Sequence, residues 1–242
     1  MDEFFSRSEA LLGAKAMEAL RAKKVIIFGV GGVGSYAAEA LVRTGLTHLT
    51  IVDGDTVQPS NINRQLPATR ATMGIPKVEA LKERLLTINP EAGIEARKEM
   101  VNGEWLMVNG LEGYDYIIDA IDSVNDKTDL IINATRARVK IFSSMGAALR
   151  FDPTKVTTGE LMDIKGDALA KAVRARMKKI GLHPYRKVRC VYSTEQAMRL
   201  QSTDRSTDRV QTVLPTKGSL MQVTAVFGLT LASMVIEDMR KR

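Results

Sequence analysis

Cysteine is nearly missing from this 242-residue chain: Cys190 is the only one. That excludes an internal disulfide framework and any four-cysteine zinc site, and it fits a reducing, cytoplasmic setting. Histidine occurs only as His48 and His183. Neither has a visible partner for acid–base work, so neither is assigned any. No internal repeat is visible, which sets aside repeat architectures. The first twenty residues are mixed and charged, so no signal peptide is expected. One long apolar run exists, residues 220–236, interrupted by Gln222, Thr224, Thr230 and Ser233. At roughly 17 residues it sits at the lower limit of a membrane span. It reads as a buried core helix. Weak peripheral membrane contact through Arg240-Lys241-Arg242 is the lesser reading.

What is present is ordinary in bulk and specific in detail. Hydrophobic residues make up 45% and charged residues 26%, enough for a full core in one large α/β domain. The formal net charge is +7. Residues 163–210 hold twelve Lys/Arg against five Asp/Glu, a difference of +7, so this stretch accounts for the whole excess. A polyanion such as tRNA would be attracted to such a region, although a solvated helix face has the same composition.

The strongest local signal is Phe28-Gly29-Val30-Gly31-Gly32-Val33-Gly34. It follows the apolar Val25-Ile26-Ile27 and precedes the helical pattern Tyr36-Ala37-Ala38-Glu39-Ala40-Leu41-Val42. Glycines let a backbone approach a phosphate, and a helix N-terminus supplies free N–H groups. A second strand, residues 48–53, ends in Asp53, which completes a nucleotide-binding βαβ unit. A helix is expected over residues 9–20 before it. A helix opened by Pro76 runs to about Ile88, and a strand covers 94–97. Residues 116–122 read as a buried parallel strand with acids at its C-terminal end. A helix over 125–138, a strand over 140–144, a basic helix over 168–180 and a strand over 188–192 follow. The 201–209 segment is polar and reads as mobile. The expected fold is a Rossmann-like, doubly wound, mainly parallel α/β sheet with helices on both faces and a basic, less regular C-terminal extension. Residues 1–150 form the nucleotide-binding half of one domain. Residues 151–242 form its substrate-binding, dimer-supporting half.

Asp53, Asp55, Asn61, Arg64, Lys77 and Asp122 give the glycine turn its chemistry. A dehydrogenase uses the glycines and Asp53 but has no task for Arg64, Lys77 and Asp122 together. An enzyme that attacks the α-phosphate of ATP does: Arg64 and Lys77 neutralise triphosphate charge, and Asp122 holds Mg²⁺. Each residue alone also reads as a surface or salt-bridge group; their joint occurrence carries the assignment.

The chain resembles the ubiquitin-activating-enzyme superfamily, which includes the adenylyltransferases of molybdopterin and thiamine biosynthesis. The matching pieces are Gly29-Val30-Gly31-Gly32-Val33-Gly34, Ile51-Val52-Asp53-Gly54-Asp55, Ser60-Asn61-Ile62-Asn63-Arg64-Gln65, Gly74-Ile75-Pro76-Lys77 and Ile118-Asp119-Ala120-Ile121-Asp122, in the family's order. The resemblance implies ATP and Mg²⁺ as cofactors. It places Gly31 and Gly32 on the phosphates, Asp53 on ribose, Asn61, Arg64 and Lys77 on the triphosphate, and Asp122 on magnesium. Arg7 matches an arginine that reaches into the neighbouring subunit's site, which implies a homodimer. The second half is similar to the tRNA threonylcarbamoyladenosine dehydratase group, through Ser143-Ser144-Met145-Gly146-Ala147, Asp152-Pro153-Thr154-Lys155, residues 167–174 and Cys190-Val191-Tyr192-Ser193-Thr194-Glu195. That implies activation of a carboxylate beside the tRNA anticodon, followed by ring closure with loss of water. A cysteine desulfurase or sulfur-acceptor system is a further implied partner. The two Cys-x-x-Cys pairs usual in sulfur-carrier activators are absent. The chain departs from the group at Ala148, in a turn expected to be richer in glycine, and in residues 213–222, which lack a cysteine. Other readings stay open at this point: activation of a sulfur-carrier protein's C-terminal Gly-Gly, a non-catalytic nucleotide-binding adaptor for tRNA or a membrane surface, and a nicotinamide dehydrogenase. Cys190 itself reads either as a nucleophile or as a packing residue on a strand.

Overall fold

The computed structural model describes residues 3–198 and 218–241. The 201–209 segment lies outside them. Strand β1 (Lys24–Phe28) shows how the architecture arises. Its side chains alternate, so Val25 and Ile27 enter one apolar cluster while Ile26 and Phe28 enter another. A strand apolar on both faces must be covered on both, which is the signature of a parallel α/β sheet. The sheet has seven strands in the order β3-β2-β1-β4-β5-β7-β6. Here β2 is His48–Val52, β3 Gly93–Arg97, β4 Tyr116–Asp119, β5 Lys140–Ser144, β6 Val156–Glu160 and β7 Arg189–Ser193. Every pairing is parallel except β6 with β7.

One face carries α2 (Ala14–Arg21), α3 (Gly34–Thr44), α4 (Lys77–Ile88) and α8 (Met221–Arg240). The other carries α5 (Gly103–Asn109), α6 (Val124–Arg136) and α7 (Ala168–Ile180). Trp105 of α5 meets Phe28 edge-to-face at 5.4 Å, which closes the second cluster over β1. The helix expected over 9–20 is two helices: α1 (Ser6–Leu12) and α2 meet at Gly13, whose φ of +83° ends the first. The strand expected over 116–122 stops at Asp119, and the reason lies in a buried ion pair described below. Helix α5 and strand β6 are additions that the sequence reading did not contain.

Helix α8 is the apolar 220–236 run, extended to Arg240. Among the described residues it alone is long and apolar enough to cross a bilayer, yet Val223, Phe227, Leu231 and Val235 are buried in the sheet-facing cluster. Its approach to α3 is close: a Cβ on Gly228 would stand 2.3 Å from the Val33 carbonyl oxygen and 2.8 Å from Tyr36 Cβ.

Candidate active site

The C-terminal ends of β1, β2 and β4 and the N-terminus of α3 meet around the glycine turn. Gly29 has φ +83°, and a Cβ there would lie 2.8 Å from the Ala120 carbonyl oxygen. Its N–H donates to the Val52 carbonyl at 2.8 Å. A Cβ on Gly34 would stand 1.8 Å from the Gly29 oxygen, so only glycine lets α3 start this close to β1. Gly31 and Gly32 are freer. A Cβ on Gly31 would meet Gln65 Nε2 at 3.5 Å, and one on Gly32 would meet Arg64 Cγ and Thr224 Oγ1 at 3.2 Å. The turn is thus roofed by the 60–65 loop and by the start of α8. The four glycines differ: Gly29 and Gly34 admit no side chain and shape the turn, while Gly31 and Gly32 face the side chains of Gln65, Arg64 and Thr224.

Asp53 follows β2 and braces the turn. Its carboxylate accepts the Val30 N–H at 2.8 Å and the Asp55 N–H at 2.9 Å. Each carboxylate oxygen has further lone-pair capacity for a ribose hydroxyl. Lys77, at the start of α4, is buried, and its Nζ lies 2.7 Å from Asp55 Oδ2. The Lys77 N–H donates to the Asp55 carbonyl at 3.0 Å, so backbone and side chain lock α4 to the loop after β2. Asn61 is buried, and its Oδ1 caps the Gln58 N–H at 3.0 Å within the short helix Pro59–Asn61. Arg64 folds back so that one terminal nitrogen bonds the Ser60 carbonyl and Asn63 Oδ1, at 2.9 and 2.8 Å. Two groups of motif residues thus wall the turn: Asp53, Asp55 and Lys77 are joined by hydrogen bonds, and separately the Arg64 N–H donates to the Asn61 carbonyl at 3.1 Å.

Asp122 stands apart from that wall and is exposed. It does not end β4, as the sequence suggested, but lies three residues beyond it. The strand stops because Asp119 is fully buried and turned inward, with Lys127 Nζ at 2.7 Å and the Ser143 hydroxyl donating at 2.6 Å. Its other oxygen accepts the Ile121 N–H at 3.1 Å, which bends the chain and fixes the Ala120–Ile121–Asp122 loop beside Gly29. Asp122 makes no side-chain hydrogen bond or ion pair among the described residues. No group of three or more His, Cys, Asp or Glu forms a metal cage among them either. A lone carboxylate beside a phosphate turn fits Mg²⁺, which binds through one or two carboxylates, waters and substrate phosphates.

Three features escaped the sequence reading. Gln65 was part of a recognised motif but had no role. It is buried, and its Oε1 has no hydrogen-bond partner among the described residues. Its Nε2 lies 3.5 Å from the place of a Gly31 Cβ, so this amide with a free acceptor stands at the turn. Thr224 comes from α8, and Lys127 with Ser143 from α6 and β5. None of these long-range contacts has a local sequence signature.

Arg7 lies far from this chain's own turn. Its neighbour Phe5 packs on Gly45, at the C-terminal end of α3, whereas the glycine turn is at the N-terminal end. Eleven residues of helix separate them, roughly 16 Å. Arg7 is exposed there, beside exposed Phe4. His48 begins β2 and His183 lies in the α7–β7 connection, both exposed and away from the site. Cys190 is fully buried on β7. Burial pushes its thiol pKa well above the ordinary range. It is the packing residue of the two readings. The Cys190→Ala variant is expected to keep AMP formation within about twofold of the parent, since it removes no reactive thiol. A loss above tenfold would return Cys190 to the chemistry.

Fold and site define a nucleotide-binding α/β protein with a glycine turn, a wall that sets Arg64 and Lys77 beside Asp53 and Asp55, and a separate exposed carboxylate. The match to known proteins is consistent and covers nearly the full length. The chain belongs to the ThiF family, whose model matches residues 5–240. It is 34% identical over 244 residues to tRNA threonylcarbamoyladenosine dehydratase of Bacillus subtilis, covering 98% of this chain and 94% of that protein. Crystal structures of Escherichia coli tRNA N6-threonylcarbamoyladenosine dehydratase with ATP and with AMP superpose with TM-scores of 0.85 and 0.86. They share 34% and 33% identity and cover 99% of this chain and 94% of theirs. Molybdopterin-synthase adenylyltransferase of Escherichia coli is 36% identical over 135 residues only, 56% of this chain and 53% of that protein.

Proposed function

We propose that this chain is an ATP-dependent enzyme that dehydrates N6-threonylcarbamoyladenosine in tRNA. The carrying observation is the reach of the likeness: it extends across residues 151–242 to dehydratases, one of them crystallised with ATP and with AMP. In the first step a carboxylate oxygen of the modification attacks the α-phosphorus of ATP and pyrophosphate leaves. In the second, attack from within the modification on the acyl carbon closes the ring. The former carboxylate oxygen departs on AMP, so the net loss is one water.

The residues divide this work. Gly31, Gly32 and the N-terminus of α3 hold phosphates through backbone N–H groups. Gly29 and Gly34 shape the turn. Asp53 holds the ribose, with Asp55 and Asn61 framing the pocket. Arg64 and Lys77 balance the triphosphate and the charge that builds on departing pyrophosphate. Asp55 lies 2.7 Å from Lys77 Nζ and keeps this buried ammonium paired. Asp122 would hold Mg²⁺, which would screen the phosphates. In a homodimer the partner's Arg7 would complete the site, as the distance of this chain's Arg7 from its own turn requires of any active-site role. We place the protein in the cytoplasm, with the anticodon loop of tRNA as the part that enters the site. A cysteine desulfurase partner would find no accessible thiol on this chain, whose one cysteine is buried.

The test is direct. Incubation with ATP, Mg²⁺ and tRNA carrying threonylcarbamoyladenosine is expected to yield AMP and the cyclised nucleoside in equal amounts. AMP at background level would overturn the reading. Pyrophosphate exchange stimulated by a sulfur-carrier protein, and not by tRNA, would replace it with carrier activation. Calorimetry is expected to show binding of Mg·ATP and none of NAD.

A further inference from the structure

The nucleotide site occupies the C-terminal edge of the parallel strands. The opposite edge has its own chemistry. Helix α6 ends there at Arg136, α7 carries Lys178 and Lys179 in its last turn, and β7 begins at Arg189 after a loop that carries Arg186 and Lys187. These six cations come from four segments, and all six are exposed. None forms an ion pair among the described residues. Lys178 and Lys179 are explained in part by the helix dipole, which favours cations in a last turn. The dipole gives no reason for Arg186, Lys187 and Arg189.

Two of the cations, Arg186 and Lys187, line a groove of about 510 Å³ with the rest of residues 160–162 and 183–188; Arg136 reaches it over the Tyr185 ring, and Arg189 is the β-register partner of Glu160 at its rim. Glu160 is its one acid. Tyr185, 60% exposed, offers a ring at the groove, with the Arg136 guanidinium 5.6 Å from its centroid. The loop is held in place: the Tyr185 N–H donates to Thr135 Oγ1 at 3.2 Å. The result is an ordered, concave, cationic surface with an aromatic platform. A flat lipid surface does not need a groove. A phosphate ladder with an exposed sugar or base edge does match one.

We propose that this edge docks the phosphate backbone of the tRNA stem that leads away from the catalytic edge. The inference rests on the tRNA reading above. Strands of five residues at about 3.3 Å each separate the two edges by roughly 15–20 Å. A nucleic-acid stem with a rise of about 3 Å per step covers that span in five or six base pairs. The surface reads shape and charge, not sequence, and its contribution is to affinity rather than to the adenylation step.

The experiment compares the parent with the quadruple variant Lys178→Glu/Lys179→Glu/Arg186→Glu/Lys187→Glu. The readouts are KM for threonylcarbamoyladenosine-bearing tRNA, kcat, and the salt dependence of tRNA binding. The loop double variant Arg186→Gln/Lys187→Gln serves if the quadruple variant does not fold, as judged by its urea midpoint and ATP affinity. The quadruple variant is expected to raise KM at least tenfold, with the loss falling on KM and not on kcat. Its log–log salt slope is expected to be shallower by about three to four, near one for each lost phosphate contact. The double variant is expected to lose about two. Unchanged KM and slope in a folded variant that still turns over would overturn the surface and leave the dehydratase reading intact. So would normal tRNA affinity combined with lost binding to phosphatidylserine vesicles, which would make the edge a membrane contact. A parent protein that forms no AMP with tRNA overturns the dehydratase reading and this proposal together.

Discussion

The Lys127→Met variant is expected to lose about 3–5 kcal/mol of stability in urea unfolding, the cost of stranding a buried carboxylate. Lys127 and Asp119 are both fully buried, with Nζ and Oδ2 2.7 Å apart. Nothing in an apolar sheet interior replaces that ammonium. The Ser143 hydroxyl and the Ile121 N–H would remain on the carboxylate, so Asp119 would keep hydrogen bonds but lose its counter-charge. The double variant Asp119→Leu/Lys127→Met is expected to regain most of the stability, because a pair removed whole leaves no charge behind. It is not expected to regain activity. Asp119 also holds the Ile121 N–H, and without that bond the loop bearing Asp122 loses its fixed position beside Gly29. Recovery of AMP formation along with stability would show that the buried pair serves the core alone.

Asp122→Asn is expected to do the reverse. The side chain is exposed and makes no hydrogen bond or ion pair among the described residues, so unfolding should shift by no more than about 0.5 kcal/mol. AMP formation should fall at least about 10²-fold, the scale seen when one electrostatic partner of a developing charge is removed. Raising Mg²⁺ should recover part of the rate if the carboxylate's task is to hold the ion. Full activity in a folded Asp122→Asn protein would remove this residue from the mechanism. The two variants separate what Asp119 and Asp122 do, although they stand three positions apart in one short motif.

Much of the fold was legible because local pattern and tertiary demand agree. β1, the glycine turn, α3 and β2 form a unit whose signals lie within thirty residues. The bounds of β5 and α7 coincide with the pattern, since the short Ile141-Phe142 run and the Asp167 cap with its 2.9 Å bond from the Ala170 N–H are local. β4 was read too long because Ile117 to Ile121 stays apolar except for Asp119. Only a lysine eight residues on, in another element, turns that acid inward. β6 was invisible because its residues are all half-buried and give no alternation. Helix α1 was merged with α2 because the break rests on the backbone angle of Gly13. In the site, Asp53, Asp55, Asn61, Arg64 and Lys77 were legible as motif residues. Thr224 and the orphaned Gln65 acceptor were not, since both depend on how α8 and the 60–65 loop settle over the turn.

That settling has a consequence for how the protein is made. Helix α8 covers α3 and the sheet beside it, with Gly228 pressed against Val33 and Tyr36. The phosphate turn, by contrast, is encoded in the first forty residues. As synthesis proceeds from the N-terminus, the early βαβ unit leaves the ribosome with its apolar face open. It stays open until more than 180 further residues have followed. The partner it awaits is distant in sequence, which makes this closure the slow, high-contact-order event of folding. A nascent chain arrested before α8 is therefore expected to expose the face that a trigger-type chaperone recognises, and to acquire nucleotide affinity only when the last helix is released.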